Sequence, residues 1–419
     1  MEQILDFYLL PKKSIINKNN VINLAILSPV FLFIIFFNRY IFAESNLPYF
    51  TTLIIIALIF RVRFRLKSIM LFNPFVISMI LFIIYTIFRI DNGFSTTTLN
   101  NSTNSFYKFY QDIINLNIYL LLFILGSILS FNKQKPSEII WLLISVYLLM
   151  YIVKSLFSLA ELQTGAHLGA GDVVISLIPF VLLGLKGYKY RQRYTNIILF
   201  LVFVFLALIG TRIASLSVLI MILIINIWPY IIKNKIRYNL VFFITIMAIA
   251  LLYLVYIRYM THSGESLISG SNIGVLQKST NTRFIIWVHL LATIQDNIFF
   301  GIGSLNSTTQ IAPESYLSFD MHRKNLSSHS TYFELLYRLG VVGVFLFLTT
   351  MFNLWALFWK GINLWEIRIA SSLIIAILFI ASSQVSIIYS YLELYWGFIW
   401  VFFGIAFGSI IKKNNTFKT

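Results

Sequence analysis

Apolar runs of roughly twenty residues, separated by short polar stretches, recur from residue 21 to residue 411. A helix needs roughly 20 apolar residues to cross the ~30 Å hydrocarbon core of a bilayer. The pattern predicts twelve such helices, near 21–38, 48–60, 69–88, 113–131, 139–159, 173–185, 195–210, 213–232, 239–257, 332–359, 369–386 and 392–411. The second and sixth are short and read as tilted or broken. The expected fold is therefore an all-α polytopic membrane protein of about twelve transmembrane helices. It divides into nine helices over 1–257, a long loop over 258–331 and three helices over 332–419, all in one integral-membrane domain.

The polar stretches set an expected orientation. Lys12, Lys13, Lys18, Arg61, Arg63, Arg65 and Lys67 open one set of loops, and Lys133 and Lys135 follow on the same side. Lys186, Lys189, Arg191, Arg193, Lys233, Lys235, Arg237, Lys360, Arg368, Lys412, Lys413 and Lys418 complete it, giving 21 of the 32 basic residues. Basic residues are retained on the cytoplasmic side, so both termini are expected inside, as an even number of spans requires. The first twenty residues are mostly polar, and no small-x-small site follows the first apolar run, so no cleavable signal is expected. All five histidines (His167, His262, His289, His322 and His329) fall on the opposite side, as does the long loop, in which short amphipathic helices are expected. A smaller outer loop, 89–112, is rich in Ser, Thr and Asn and reads as a lid or a linker.

Composition narrows the function classes. The chain is 59% hydrophobic and 11% charged with mean hydropathy +0.84, whereas a soluble domain is about 25% charged. The net charge of +17 does not indicate nucleic acid, because the cations lie in short loops without a basic face interleaved with stacking aromatics. Cysteine is absent, which removes disulfides and thiolate metal sites. Only 15 acids occur, with no Asp-x-Asp and no His-x-x-x-His pair, so no metal and no cofactor are expected. The 40 Phe and 23 Tyr suit lipid-facing surfaces and interfacial belts, making membrane lipids an expected partner.

Candidate chemistry concentrates on the outer side. Thr331-Tyr332-Phe333-Glu334 reads as a capping box, with Thr331 as the cap and Glu334 reaching back to its amide. His329 then lies two residues before the cap, where the positive end of the helix disfavours protonation. A neutral imidazole there suits a general base; an interfacial histidine bonded to backbone or headgroup is the plainer reading. Phe284, Trp287, Val288, Leu291 and Ile294 follow helical spacing, predicting an amphipathic helix at the membrane surface with Arg283 in its first turn. Arg283 opposes the helix dipole unless an anion binds there, though it could equally hold a lipid headgroup. Gly301 and Gly303 suggest a sharp turn, in a context wrong for a nucleotide loop. Arg212 sits at the outer hinge between two spans with only Thr211 and Ser215 as polar neighbours in sequence. A charge at that depth needs a partner: Asp172 or Glu393, or an anionic ligand. Two arginines and a base on one face suit a diphosphate better than a single carboxylate.

Three pieces of this pattern resemble the O-antigen polymerase and ligase superfamily of bacterial membrane glycosyltransferases. His329-Ser330, nine residues, Gly340, two residues and Gly343 resemble the family's His-[Asn/Ser/Gln]-x9-Gly-x-x-Gly signature. Arg212-x3-Leu216 resembles its Arg-x3-Leu element, and Arg283 through Trp287 to Gly301 and Gly303 resembles the segment ahead of the histidine. The resemblance covers roughly residues 195–360. It implies a C-type glycosyltransferase fold in the bacterial inner membrane, with the active site facing the periplasm. It implies an undecaprenyl-diphosphate-linked glycan as donor, inversion at the sugar carbon, and no metal. By position, His329 would take the acceptor's proton, and Arg212 and Arg283 would hold the diphosphate. Glu334, Arg338, Gly340 and Gly343 would shape the helix that follows the histidine. The signatures look like those described for ligases, but polymerases share the domain and are the more numerous members, so a polymerase of O-antigen or another surface polysaccharide is expected, with a chain-length regulator protein as a possible partner. A ligase transferring glycan to the lipid A core is the alternative. From another class, a flippase or transporter for lipid-linked glycan would line its path with charges inside the spans, where only Lys154 stands out.

Overall fold

The computed structural model describes residues 73–89, 119–120, 122–124, 126–127, 130, 170–267, 287, 290–303, 330–382 and 394–416. Among these residues the protein is helical throughout, without a strand. The α-helices are α1 (Pro74–Phe88), α2 (Ala170–Gly184), α3 (Arg191–Leu208), α4 (Arg212–Ile231), α5 (Lys235–Leu267), α6 (Thr331–Phe358), α7 (Trp365–Ala381) and α8 (Leu394–Thr416). Each coincides with one of the apolar runs. The runs at 21–38, 48–60 and 139–159 lie outside the described residues, and the one at 113–131 is described only in part. Among the described residues, four segments are long and apolar enough to cross a membrane: Arg191–Leu208, Arg212–Ile231, Lys235–Val255 and Thr331–Gly361.

Local chemistry fixes the helix ends. Pro74 opens α1, where its missing N–H costs nothing, and the Asn73 side chain accepts from the Phe75 amide at 3.0 Å. α3 ends in a left-handed glycine, Gly210, with φ 77°. The Gly210 amide donates to Ala207 O at 3.1 Å and the Thr211 amide to Leu206 O at 3.0 Å. These paired bonds form a Schellman closure, which satisfies the last carbonyls of α3 and lets α4 start two residues later. At its far end α5 runs ten residues beyond the expected boundary at 257, into what reads as loop from sequence.

α7 is buried on nearly every side, as an apolar helix at the centre of a bundle should be. α5 instead exposes Leu240, Phe243, Ile244, Met247 and Leu251 along one face, a surface suited to lipid acyl chains. At the end of the bundle rich in Lys and Arg, tertiary contacts absorb backbone groups that the helices leave open. Pro229 inside α4 removes the N–H that would bond Ile225 O. That carbonyl accepts instead from Arg368 Nε at 3.0 Å. Nearby, Trp365 Nε1 donates to Leu182 O at 2.9 Å, Trp228 Nε1 donates to Ile362 O at 3.3 Å, and Lys186 pairs with the buried carboxylate of Glu366. The turns α2–α3, α4–α5 and α6–α7 therefore meet at one end.

One interface rests on small residues that the sequence analysis did not single out. Gly404-Ile405-Ala406-Phe407-Gly408 on α8 faces Gly126, Ser127 and Ser130. A Cβ on Gly404 would lie 2.8 Å from Ser127 N and closer still to Phe123 O. Such small-residue faces let two backbones approach within a membrane, where dispersion rather than water exclusion drives helix association. Gly404→Val is expected to destabilise the fold by about 1–3 kcal/mol through overpacking. Gly187→Val, at a site with nothing within 4 Å of the added carbon, should stay within about 0.5 kcal/mol of the parent. Thermal unfolding of the two variants in detergent micelles checks the contrast.

Candidate active site

α6 begins at a cap tied to two other helices. Ser330 has extended backbone (φ −148°, ψ 123°), and its side chain accepts from the Phe333 amide at 3.4 Å. Its hydroxyl also pairs with Tyr253 Oη at 2.8 Å, while that phenol donates its one proton to Ser382 O at 2.6 Å. The Ser330 hydroxyl must therefore donate to Tyr253 and accept from Phe333. These bonds draw together the second half of α5, the start of α6 and the end of α7. Beneath the cap, Trp287 stacks on Phe333 at 4.7 Å between centroids. Tyr253 meets both rings edge-on at 5.3 Å.

The cap is Ser330, not Thr331 as the capping-box reading expects. The reciprocal bond of a capping box needs its acid three residues after the cap, and counting from Ser330 that position is Phe333. Glu334 turns instead along the helix and accepts from Arg338 Nε at 2.6 Å. Both partners of this pair are buried. Breaking one side of such a pair strands a charge, so Glu334 and Arg338 hold the first turns of α6 together. With the cap at Ser330, His329 is the residue immediately before it in sequence rather than two before. His329 and Arg283 themselves lie outside the described residues.

The segment carrying Trp287 packs against the start of α6. Trp287, Leu290 and Ile294 are buried and Leu291 partly so, and they pack against Phe333 and Tyr337 of α6. Trp287, Ile294 and Leu291 belong to the predicted apolar face; Leu290, outside that set, is buried with them, and the described part of this face packs against α6. Phe284 and Val288 lie outside the described residues. Ile294 leads into a single 3-10 turn, Gln295–Asn297, and then to the glycine turn at 301–303.

That turn enters a break in α6. Expected as one uninterrupted span, α6 loses helical geometry at Gly340 (φ 66°, ψ −167°). The carbonyls and amides that the break frees are exchanged with the loop. Val341 N donates to Ile298 O at 2.9 Å and Val342 N to Phe299 O at 3.1 Å. In return Ile302 N donates to Tyr337 O at 2.9 Å and Gly303 N to Arg338 O at 3.1 Å. Leu339 O, beside the break, accepts from the Tyr85 hydroxyl at 3.0 Å. Arg89 NH2 donates to Gly301 O at 2.8 Å, pinning the loop from the other side. Gly301 and Gly340 both have positive φ, and a Cβ on either would lie 2.5–2.6 Å from the other's amide nitrogen. Glycine is required twice over here, for the left-handed backbone and for the contact between main chains.

Arg212 is the one predicted site residue with a described side chain. It opens α4 directly after the Gly210 turn, and its side chain is exposed. Ser215 Oγ donates to its carbonyl at 2.7 Å, while Thr211 Oγ1 bonds back to Leu206 O at 3.0 Å. The guanidinium has no hydrogen-bond or ion-pair partner among the described residues. Gly171, at the start of α2, packs against Thr211 and Ala214, so the N-termini of α2 and α4 adjoin. The side chain of Asp172 and all of Glu393, its expected alternative partners, lie outside the described residues. Among the described residues no cluster of His, Asp and Glu could hold a metal ion.

Tyr85, Arg89, Tyr253 and Ser382 are the residues that sequence reasoning missed. Tyr85 and Arg89 carry a faint signal, being four apart and so on one face at the end of an apolar helix. Tyr253 and Ser382 carry none, because their roles depend on which helices become neighbours. Residues 197–348 match the model of a family described as O-antigen ligase. No curated protein matches the chain.

The mutual fit of the two glycines generates a prediction. Gly301→Ala and Gly340→Ala should each lower stability by about 1–3 kcal/mol, from strain at positive φ and overpacking. The double variant should cost clearly less than the sum, because the first substitution already pries the two main chains apart. A double-mutant cycle by thermal or denaturant unfolding measures that coupling.

Proposed function

We propose that this chain, whose residues 197–348 match the model of a family described as O-antigen ligase, is a member of the O-antigen polymerase and ligase superfamily and a membrane glycosyltransferase drawing on undecaprenyl-diphosphate-linked oligosaccharide. The observation that carries this reading is the match itself, which covers residues 197–348 and so takes in the Arg212 turn and the break in α6. The geometry around it supports the same chemistry. An exposed guanidinium at a helix start, where backbone amides also point outward, suits a phosphate oxygen. A rigidly capped helix, tied to two neighbours at its first residue, suits the placement of a base just before it.

In this reading the acceptor hydroxyl attacks the anomeric carbon of the donor from the face opposite the diphosphate, and configuration inverts. The new C–O bond forms as the bond to the diphosphate breaks, and the leaving group keeps that electron pair. His329 takes the proton from the attacking hydroxyl, which general-base catalysis makes worth about 10²–10⁴ in rate. Arg212 and Arg283 meet the charge that builds on the departing diphosphate. Neither a metal nor a cofactor has a step. The enzyme works in the bacterial inner membrane with its site toward the periplasm, the side opposite the basic loops. The acceptor is a second lipid-linked repeat unit, which makes the protein a polysaccharide polymerase and a chain-length regulator a natural partner. The description of the matched family favours a second reading, a ligase whose acceptor is the lipid A core.

Purified full-length protein in detergent, supplied with lipid-linked oligosaccharide, separates these readings. Chain growth with donor alone marks the polymerase; transfer only when lipid A core is added marks the ligase. His329→Ala is expected to insert normally and lose at least ~10²-fold in transfer rate. Full turnover in that variant would overturn the assignment of the base. Arg212→Ala and Arg283→Ala should raise the donor concentration needed, with the fold intact, and ordinary donor use by both would remove the diphosphate clamp. Chelators should leave the rate unchanged.

A further inference from the structure

The break at Gly340 turns Thr331–Leu339 into a short rod whose direction the rest of α6 does not fix. A continuous helix would transmit its axis through i to i−4 bonds across residue 340. Here the bonds that Val341 and Val342 would make with Tyr337 O and Arg338 O go to the loop instead. The rod is therefore oriented by outside contacts. At its N-terminus these are Ser330 with Tyr253, and Tyr332 Oη donating to Leu378 O at 2.9 Å. At its C-terminus they are the exchanged loop bonds and the side chains of Tyr85 in α1 and of Arg89, which caps it.

We propose that Tyr85 and Arg89 are positioning residues for glycosyl transfer: by holding Leu339 O and Gly301 O, they set the direction of the rod Thr331–Leu339 and so the place of the residue that precedes its cap, His329. This rests on the assignment of His329 as the base. The two donors sit one turn apart at the end of α1, itself packed along α6. Their acceptors lie on the two main chains that cross at the glycine contact, one on each. One helix thus clamps both sides of the crossing. Arg89 also places its guanidinium carbon 6.0 Å from the centroid of Phe300, beside the carbonyl it bonds. At 1.5 Å per residue the rod is about 13 Å long, so a tilt of about 5° at the clamp moves its far end by about 1 Å. A displacement of that size at a reacting group can cost about 10²-fold. Neither residue touches substrate in this scheme, so the loss falls on turnover and not on donor binding.

The test uses Tyr85→Phe, which removes one hydroxyl at constant shape, and Arg89→Gln, with Arg89→Lys as the conservative control. Expected results are kcat lower by about 10- to 100-fold, donor KM within about 2-fold, and partial recovery in Arg89→Lys. Because the chain has no cysteine, His329→Cys and Leu208→Cys can carry nitroxide labels, Leu208 being an exposed site at the end of α3. Electron–electron double resonance should show the 208–329 distance shifted or broadened by Tyr85→Phe and by Arg89→Gln. If that distance is unchanged, or if kcat is unchanged while His329→Ala is inactive, the positioning role is wrong and the base assignment stands. If His329→Ala retains full turnover, the base assignment fails instead. A loss seen mainly in KM would assign the two residues to donor binding and would also overturn the proposal.

Discussion

The architecture around the site depends on one exchange of main-chain hydrogen bonds. A helix in a bilayer cannot leave carbonyls and amides open, because no water is there to meet them and each costs several kcal/mol. α6 nevertheless breaks at Gly340, and the loop 298–303 takes up the bonds that the break releases. The exchange is reciprocal: two amides of the helix bond loop carbonyls, and two amides of the loop bond helix carbonyls. Neither partner could hold its conformation alone. The requirement for glycine at both 301 and 340 follows from the contact distance and from positive φ.

This arrangement accounts for the packing on either side of it. The Trp287–Ile294 segment must lie against α6 to deliver the turn into the break, which explains why its apolar face is buried on Phe333 and Tyr337. The aromatic cluster of Tyr253, Trp287 and Phe333 then supports the cap at Ser330 from below. The Glu334–Arg338 pair stiffens the same turns from within. The first turns of α6 are thus held at both ends, which gives the precision that a flexible loop lacks. Arg212 reaches its place by separate means, through the Schellman closure of α3 and the immediate start of α4.

The opposite end of the bundle follows the same rule with side chains in place of a loop. Pro229 opens a carbonyl and Arg368 closes it. Trp365 and Trp228 each spend an indole N–H on a helix-terminal carbonyl. Arg368 thus serves as donor to a backbone carbonyl that the apolar sequence leaves open.

Sequence alone determined the helical class and, among the described residues, the positions of the apolar helices, since each depends on composition within a window of about twenty residues. It also made visible His329, Arg212, Arg283 and the glycines at 340 and 343, because a rare polar or flexible residue stands out against an apolar background. It placed the cap one residue late and missed the break, because Ser330 and Thr331 are equally good caps locally, and an isolated glycine in an apolar run is ordinarily tolerated. Only the tertiary structure decided that Gly340 is left-handed, that a loop some forty residues earlier completes its hydrogen bonds, and that Tyr85, Arg89, Tyr253 and Ser382 hold the helix from outside. Those facts are long-range by nature: a carbonyl needs one donor, and the sequence does not say which distant helix will bring it.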